Sequence, residues 1–300
     1  MTAAAVADFR SLESALQRRR LLVEAALHEH LGTAAASPVA AAVEDALFAP
    51  AKRLRPILSL LVADVFQTPH ALVVPGACSI EMVHTASLIL DDLPSMDDAK
   101  TRRGRPACHV VHGEATAILA AFALLNRAFE LLAMGWPGAP DAAARGAMAQ
   151  ELAKAIGLDG LIAGQAMDVA MTGRQADLKT LEYIHSRKTG ALFMASAALG
   201  AHAAHASASE HAALLAYAKN LGLAFQIVDD LIDATGEPET SGKDVGKDEF
   251  KTTFVSFAGE DGARQLALEL TQASQEALRD LGPRAEPLRE LARYVTLRKR

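Results

Sequence analysis

This chain predicts an all-α fold, and three observations carry that expectation. Its 300 residues are 51% hydrophobic but only 5% aromatic, with alanine and leucine dominating, and these residues lose little entropy in a helix. Apolar positions recur at three- and four-residue spacing along most of the chain. No stretch alternates convincingly with period two.

Taken in order, the first run, 9–31, sets Phe9, Leu12, Leu16, Leu21, Leu22, Ala25 and Ala26 at helical spacing and stops at Gly32. Similar runs cover 39–48, 56–67 and 73–91, the last continuing through SLIL and ending ahead of Pro94, which cannot extend a regular helix. Runs at 114–134, 141–157 and 159–172 follow, with the breaker GWPGAP at 135–140. Two more, 178–201 and 208–233, lead into the polar stretch GEPETSGKDVGKDEFKTT, and 261–281 and 284–297 close the series. With no internal repeat and no Pro-, Gly- or Ser-rich linker, about ten helices read as a single domain spanning 1–300, arranged around a central space.

The totals exclude several classes. A net charge of −6 leaves no broad basic surface for nucleic acid. The N-terminal MTAAAVADFR has neither the basic nor the long apolar part of a signal peptide. Residues 189–209 carry no formal charge and are long enough to span a membrane. Their apolar content is mostly alanine, diluted by His202, His205 and serines, so a close-packed internal helix is expected and no membrane span. Cys78 and Cys108 form neither metal spacing nor a disulfide framework, which suits reduced thiols in a cytoplasmic protein.

The chemistry concentrates in LILDDLPSMDDAKTRRGRP, residues 88–106. Four aspartates (Asp91, Asp92, Asp97, Asp98) fall within eight positions, and four cations (Lys100, Arg102, Arg103, Arg105) within the next few. Asp91 and Asp92 close a helix, where the dipole is negative and attracts cations. Asp97 and Asp98 follow the bend at Pro94 and can fold back toward them. Carboxylates this dense repel one another unless a cation joins them, and Mg²⁺ prefers such oxygen ligands. In FQIVDDLID, Gln226, Asp229, Asp230 and Asp233 sit at i, i+3, i+4 and i+7, so they share one helix face within apolar sequence. More cations lie in AKRLRP (Lys52, Arg53, Arg55), in HSRKTG (Lys188, beside Thr189) and in the polar stretch (Lys243, Lys247, Lys251). Arginine forks and lysine point charges suit phosphate oxygens. GEPETSGKD lacks the spacing of a nucleotide-binding loop. Carboxylates for metal beside cations for phosphate match a diphosphate–Mg²⁺ substrate.

These residues resemble the polyprenyl synthetase family, the trans-isoprenyl diphosphate synthases. DDLPSMD is similar to the family's first aspartate-rich motif and DDLID to its second, with the match running from KRLRP at 52 to FKTTF at 254. EMVHTASLILDDLPSMDDAKTRRGRP looks most like bacterial geranylgeranyl diphosphate synthases. The resemblance implies an all-α isoprenoid-synthase fold around a deep central cavity, a homodimer, and Mg²⁺-dependent condensation of isopentenyl diphosphate with an allylic diphosphate. It implies that Asp91, Asp92 and Asp97, facing Asp229, Asp230 and Asp233, hold the metal. Arg102, Lys188, Gln226 and Lys243, with Lys251 nearby, would grip the allylic diphosphate. Lys52, Arg55, His84 and Arg103 would hold isopentenyl diphosphate, while Thr189 and Gln226 steady the cation. Pro50-Ala51 and Phe250 depart from the glycines usual in the family at those places.

Product length needs a steric floor, because each CH₂ buried adds roughly 0.8 kcal/mol and favours growth without limit. Ala86 and Ser87 lie about one turn before Asp91 and are small, so a twenty-carbon product is expected in place of a fifteen-carbon one. Three rivals remain in view. Glu81-x-x-His84 and Glu182-x-x-His185 match the pattern of di-iron bundles. A terpene cyclase would use the same metal chemistry without a second diphosphate site, and a silent partner subunit would not need intact aspartates.

Overall fold

The computed structural model describes residues 3–32, 36–235 and 252–297. Thirteen α-helices are present among them: α1 (Ala3–Leu31), α2 (Pro38–Leu47), α3 (Leu54–Val65), α4 (Val74–Asp91), α5 (Cys108–His112), α6 (Glu114–Met134), α7 (Ala142–Ile156), α8 (Leu161–Met171), α9 (Leu178–Lys188), α10 (Gly190–Ala203), α11 (Ala208–Thr235), α12 (Phe254–Ala277) and α13 (Glu286–Leu297). The all-α expectation holds. Helix starts follow capping chemistry, in which a side-chain oxygen accepts an otherwise orphaned amide. Ser37 accepts from Ala40, with Pro38 opening α2, Asp141 accepts from Ala144, Asp177 from Thr180, and Thr253 and Ser256 form a capping box.

The centre of the bundle is α10, packed against α3, α7 and α11 and also touching α4. It is the internal helix expected within 189–209, almost wholly buried. It approaches α3 backbone to backbone: a Cβ at Gly200 would fall 2.6 Å from the Ser59 carbonyl oxygen. Ser59 in turn donates its hydroxyl to the Ser196 carbonyl at 2.7 Å. Around α10, one core joins α1, α2, α4, α6 and α7, a second joins α3, α11 and α13, and a third joins α9, α11 and α12. Among the described residues one helix, α6, is long and apolar enough to cross a membrane by length and composition.

Several features differ from the sequence expectation: α5 falls in no expected run, and α12 begins at Phe254, ahead of the run expected from 261. The run 178–201 is two helices, broken at Thr189. Residues 101–106 form a minimal hairpin, Thr101–Arg102 paired with Arg105–Pro106. Arg103 (φ 54°) and Gly104 (φ 73°) make its turn, with positive φ at both central positions as tight hairpins favour.

Candidate active site

The first aspartate cluster is built by the end of α4 and the loop behind it. The Asp97 amide donates to the Asp91 carbonyl at 2.9 Å and the Ala99 amide to the Asp92 carbonyl at 3.1 Å, so the chain folds back on its own helix end. Asp91 and Asp97 then face Lys188, whose ammonium stands 3.8 and 4.0 Å from their carboxylates. A third carboxylate, Asp168 on α8, accepts from the same ammonium at 2.8 Å. Burial raises the Asp91 carboxyl to about 6; Lys188 opposes the shift, and Asp97 adds to it. Asp92 turns to another side, where both its oxygens accept from Arg102. A cavity of about 210 Å³, lined partly by Thr85, Ile89 and Cys108, opens beside that pair.

The second cluster lies on α11. Thr189 donates its hydroxyl to Gln226 at 2.9 Å, and the Gln226 amide donates to Asp230 at 2.9 Å. The other Asp230 oxygen accepts the Phe254 amide at 3.0 Å, which fixes the start of α12. Asp229 is partly buried and Asp233 exposed. Successive residues at the α9–α10 junction thus join the two clusters: Lys188 reaches the first and Thr189 the second. The junction is tightly specified, since a Cβ at Gly164 of α8 would fall 2.3 Å from the Lys188 amide nitrogen.

The third group gathers around α3 and α4. Arg55 lies 3.2 Å from His84 Nε2 and 4.8 Å above the Phe193 ring. Burial lowers its pKa to about 10, with Glu81 and Asp229 opposing. Burial and the guanidiniums of Arg55, Arg103, Arg102 and Arg53 push His84 well below its usual value, so the ring is neutral. Lys52 is exposed at the entrance to this segment. Ala86 is fully buried in the core against α6, and Ser87 donates to the His84 carbonyl. Lys243, Lys247 and Lys251 lie outside the described residues.

Three carboxylates from separate elements converging on one ammonium mark a point that favours positive charge. Asp91 and Asp97 offer the oxygen ligands that Mg²⁺ takes, while Asp168 holds Lys188 beside them. Among the described residues no three metal-ligating groups are closed into a ready cage. The di-iron reading finds no support: Glu81 is paired with Arg53 and Glu182 is exposed. Both cysteines are free.

This arrangement, with acidic clusters on two helices joined at one lysine–threonine step, is that of an all-α isoprenoid-synthase fold. A family model described as polyprenyl synthetase matches residues 37–278. The chain is 42% identical to geranylgeranyl pyrophosphate synthase 9, chloroplastic, of Arabidopsis thaliana over 265 residues, covering 86% of this chain and 73% of that protein. Its fold matches an FPP/GFPP synthase from Zymomonas mobilis with a TM-score of 0.85 at 33% identity, covering 95% of this chain and 99% of the other. It also matches a geranyltransferase from Helicobacter pylori complexed with magnesium and isoprenyl diphosphate, with a TM-score of 0.81 at 32% identity, covering 94% and 95%. The chain belongs to the polyprenyl synthetase family and is a prenyltransferase.

The expected cytoplasmic location is overturned by these relatives. The Arabidopsis protein and others at 41% identity are named chloroplastic. Reduced thiols and alanine-rich helices suit any reducing aqueous compartment, so neither feature could distinguish one from another.

Proposed function

We propose that this prenyltransferase condenses isopentenyl diphosphate head-to-tail with an allylic diphosphate, using Mg²⁺ and ending at geranylgeranyl diphosphate. The observation that carries this reading is the Lys188–Thr189 step, which reaches both acidic clusters at once. Asp91 and Asp97, with Asp229 and Asp233 opposite, would hold the metal, which when bound supplies Lewis-acid charge to the leaving diphosphate. Asp92 and Asp230, which the resemblance adds to that ligand set, also orient Arg102 and Gln226. Arg102, Lys188 and Gln226, joined by Lys243 and Lys251, bind the allylic diphosphate and stabilise charge as its C1–O bond ionises. Lys52, Arg55, His84 and Arg103 orient isopentenyl diphosphate so that its double bond attacks C1. Gln226 and Thr189 present dipoles to the cation, and the proton then released passes to the departed diphosphate.

The names of the curated relatives support a fourth isoprene unit; Ala86 is small, and it lies within the core and not on the wall of the cavity beside Asp92 and Arg102. A second copy of the chain is the proposed partner, supported by the exposed apolar residues Val110, Val111, Ile118, Leu119 and Phe122 of α5 and α6. The test is incubation with Mg²⁺, isopentenyl diphosphate and, separately, dimethylallyl, geranyl and farnesyl diphosphates, with products dephosphorylated and separated by length. One twenty-carbon alcohol is expected from the parent and a fifteen-carbon one from Ala86→Tyr. Unchanged length in that variant rejects the floor at Ala86, and no condensation with any primer rejects the reaction.

A further inference from the structure

Glu81 and His84, spaced like half of a di-iron site, serve different partners. His84 meets Arg55, one of the residues assigned to isopentenyl diphosphate. Glu81 is 1% exposed and cannot touch that substrate, yet it sits where every element of its site meets. Arg53, itself 3% exposed, donates to Glu81 Oε1 at 2.6 Å and, with its other terminal nitrogen, to the Leu47 carbonyl at 2.6 Å. One guanidinium therefore ties the end of α2 to α4 and closes the segment that carries Lys52. Because Arg53 also caps α3, with its carbonyl accepting the Ile57 amide, it sets the first turn that carries Arg55. From the hairpin, Arg103 approaches the same Glu81 oxygen at 3.9 Å.

Backbone conformation points the same way. Arg53 (φ 55°), outside any hairpin turn, occupies the left-handed region, which L side chains rarely adopt and which persists where surrounding contacts over-determine it. Glu81 is the contact it shares with Arg103. We propose that Glu81 and Arg53 are positioning residues for isopentenyl diphosphate, holding Lys52, Arg55, His84 and Arg103 in one constellation. The inference rests on the assignment of those four residues to that substrate.

Glu81→Gln keeps the shape and removes the charge. Positioning predicts that KM for isopentenyl diphosphate rises about tenfold, the scale of one charge-assisted hydrogen bond. KM for farnesyl diphosphate stays near the parent value. A role through charge alone predicts the reverse, a lower KM as the site becomes more positive, and that result overturns the proposal. Equal changes in both KM values, tracking a lower Tm, also overturn it, since a merely structural pair would act without distinguishing substrates. If Glu81→Gln does not fold, Arg53→Lys must show the same split, because it keeps the charge but loses the fork. A parent enzyme that condenses nothing overturns the functional reading and this inference together. A parent that condenses while neither variant shows the split overturns this inference alone.

Discussion

Asp168 stands alone in the apolar helix LIAGQAMDVAM, without the neighbours that make Asp91–Asp92 and Asp229–Asp230 visible as motifs. Its importance is three-dimensional, because α8 carries it to within 2.8 Å of Lys188, beside Asp91 and Asp97. The only trace in the sequence is a single charge at an otherwise apolar stretch. Glu81 was visible in the sequence but suggested the wrong partner, since spacing along a helix does not show which neighbour a carboxylate meets. The two aspartate motifs were legible because charge repetition at i, i+3 and i+4 forces a shared face. Within them, however, the division between Asp91, which faces Lys188, and Asp92, which faces Arg102, depends on the hairpin. Asp168→Asn removes the nearest counter-charge of Lys188 and leaves that ammonium to compete for Asp91 and Asp97. The expected result is a kcat lower by about 10² and a higher Mg²⁺ concentration for half-maximal rate, read from a magnesium titration at saturating substrates.

Helices were legible as elements because their apolar periodicity survives burial, and the caps at Ser37, Asp141 and Asp177 mark their starts. The boundary at Thr189 was not, because apolar spacing runs straight through it and the break is held by a tertiary bond to Gln226. The hairpin at 101–106 is too short for any alternation to register. Helix ends also carry a pH dependence. Asp64, near the end of α3, receives Arg19 from α1 and lies 2.7 Å from His70. Burial alone would raise its carboxyl, but His70 and Arg19 outweigh that and hold it below its ordinary value. An acid depressed in the fold contributes stability above its unfolded pKa and loses it as pH falls through the folded one. Asp64→Asn should therefore lower Tm at pH 7 by about 1–3 °C. The gap from the parent should narrow as pH drops below 4, as followed by thermal melts across that range.

At the scale of the molecule, α6 has two apolar sides. One is alanine-rich and buried against α4, while the other exposes Ile118, Leu119 and Phe122, the last at 63%. Val110 and Val111 of the preceding α5 are exposed as well, and exposed apolar patches mark contacts with another molecule. Phe122→Glu places a charge on the exposed side of α6. If a second copy covers it, sedimentation should show a dimer for the parent and a monomer for the variant. A parent that sediments as a monomer rejects the pairing. The apolar content of this helix was plain in the sequence, but which half was buried could not be read before α4 had a place.

The crossing of α8 and α9 at Gly164 bears on how such an enzyme can diversify. Side chains lining a chain-length pocket can be exchanged one at a time, since each adapts by rotating and its neighbours give way. At Gly164 the tolerance is that of two peptide units in contact, with 2.3 Å between a hypothetical methyl and the Lys188 amide. No rotamer relieves such a clash; one backbone must move, and Lys188 moves with it. Product length can therefore drift through many small changes while the spacing of the reacting groups stays locked, and the position that locks it has no side chain at all.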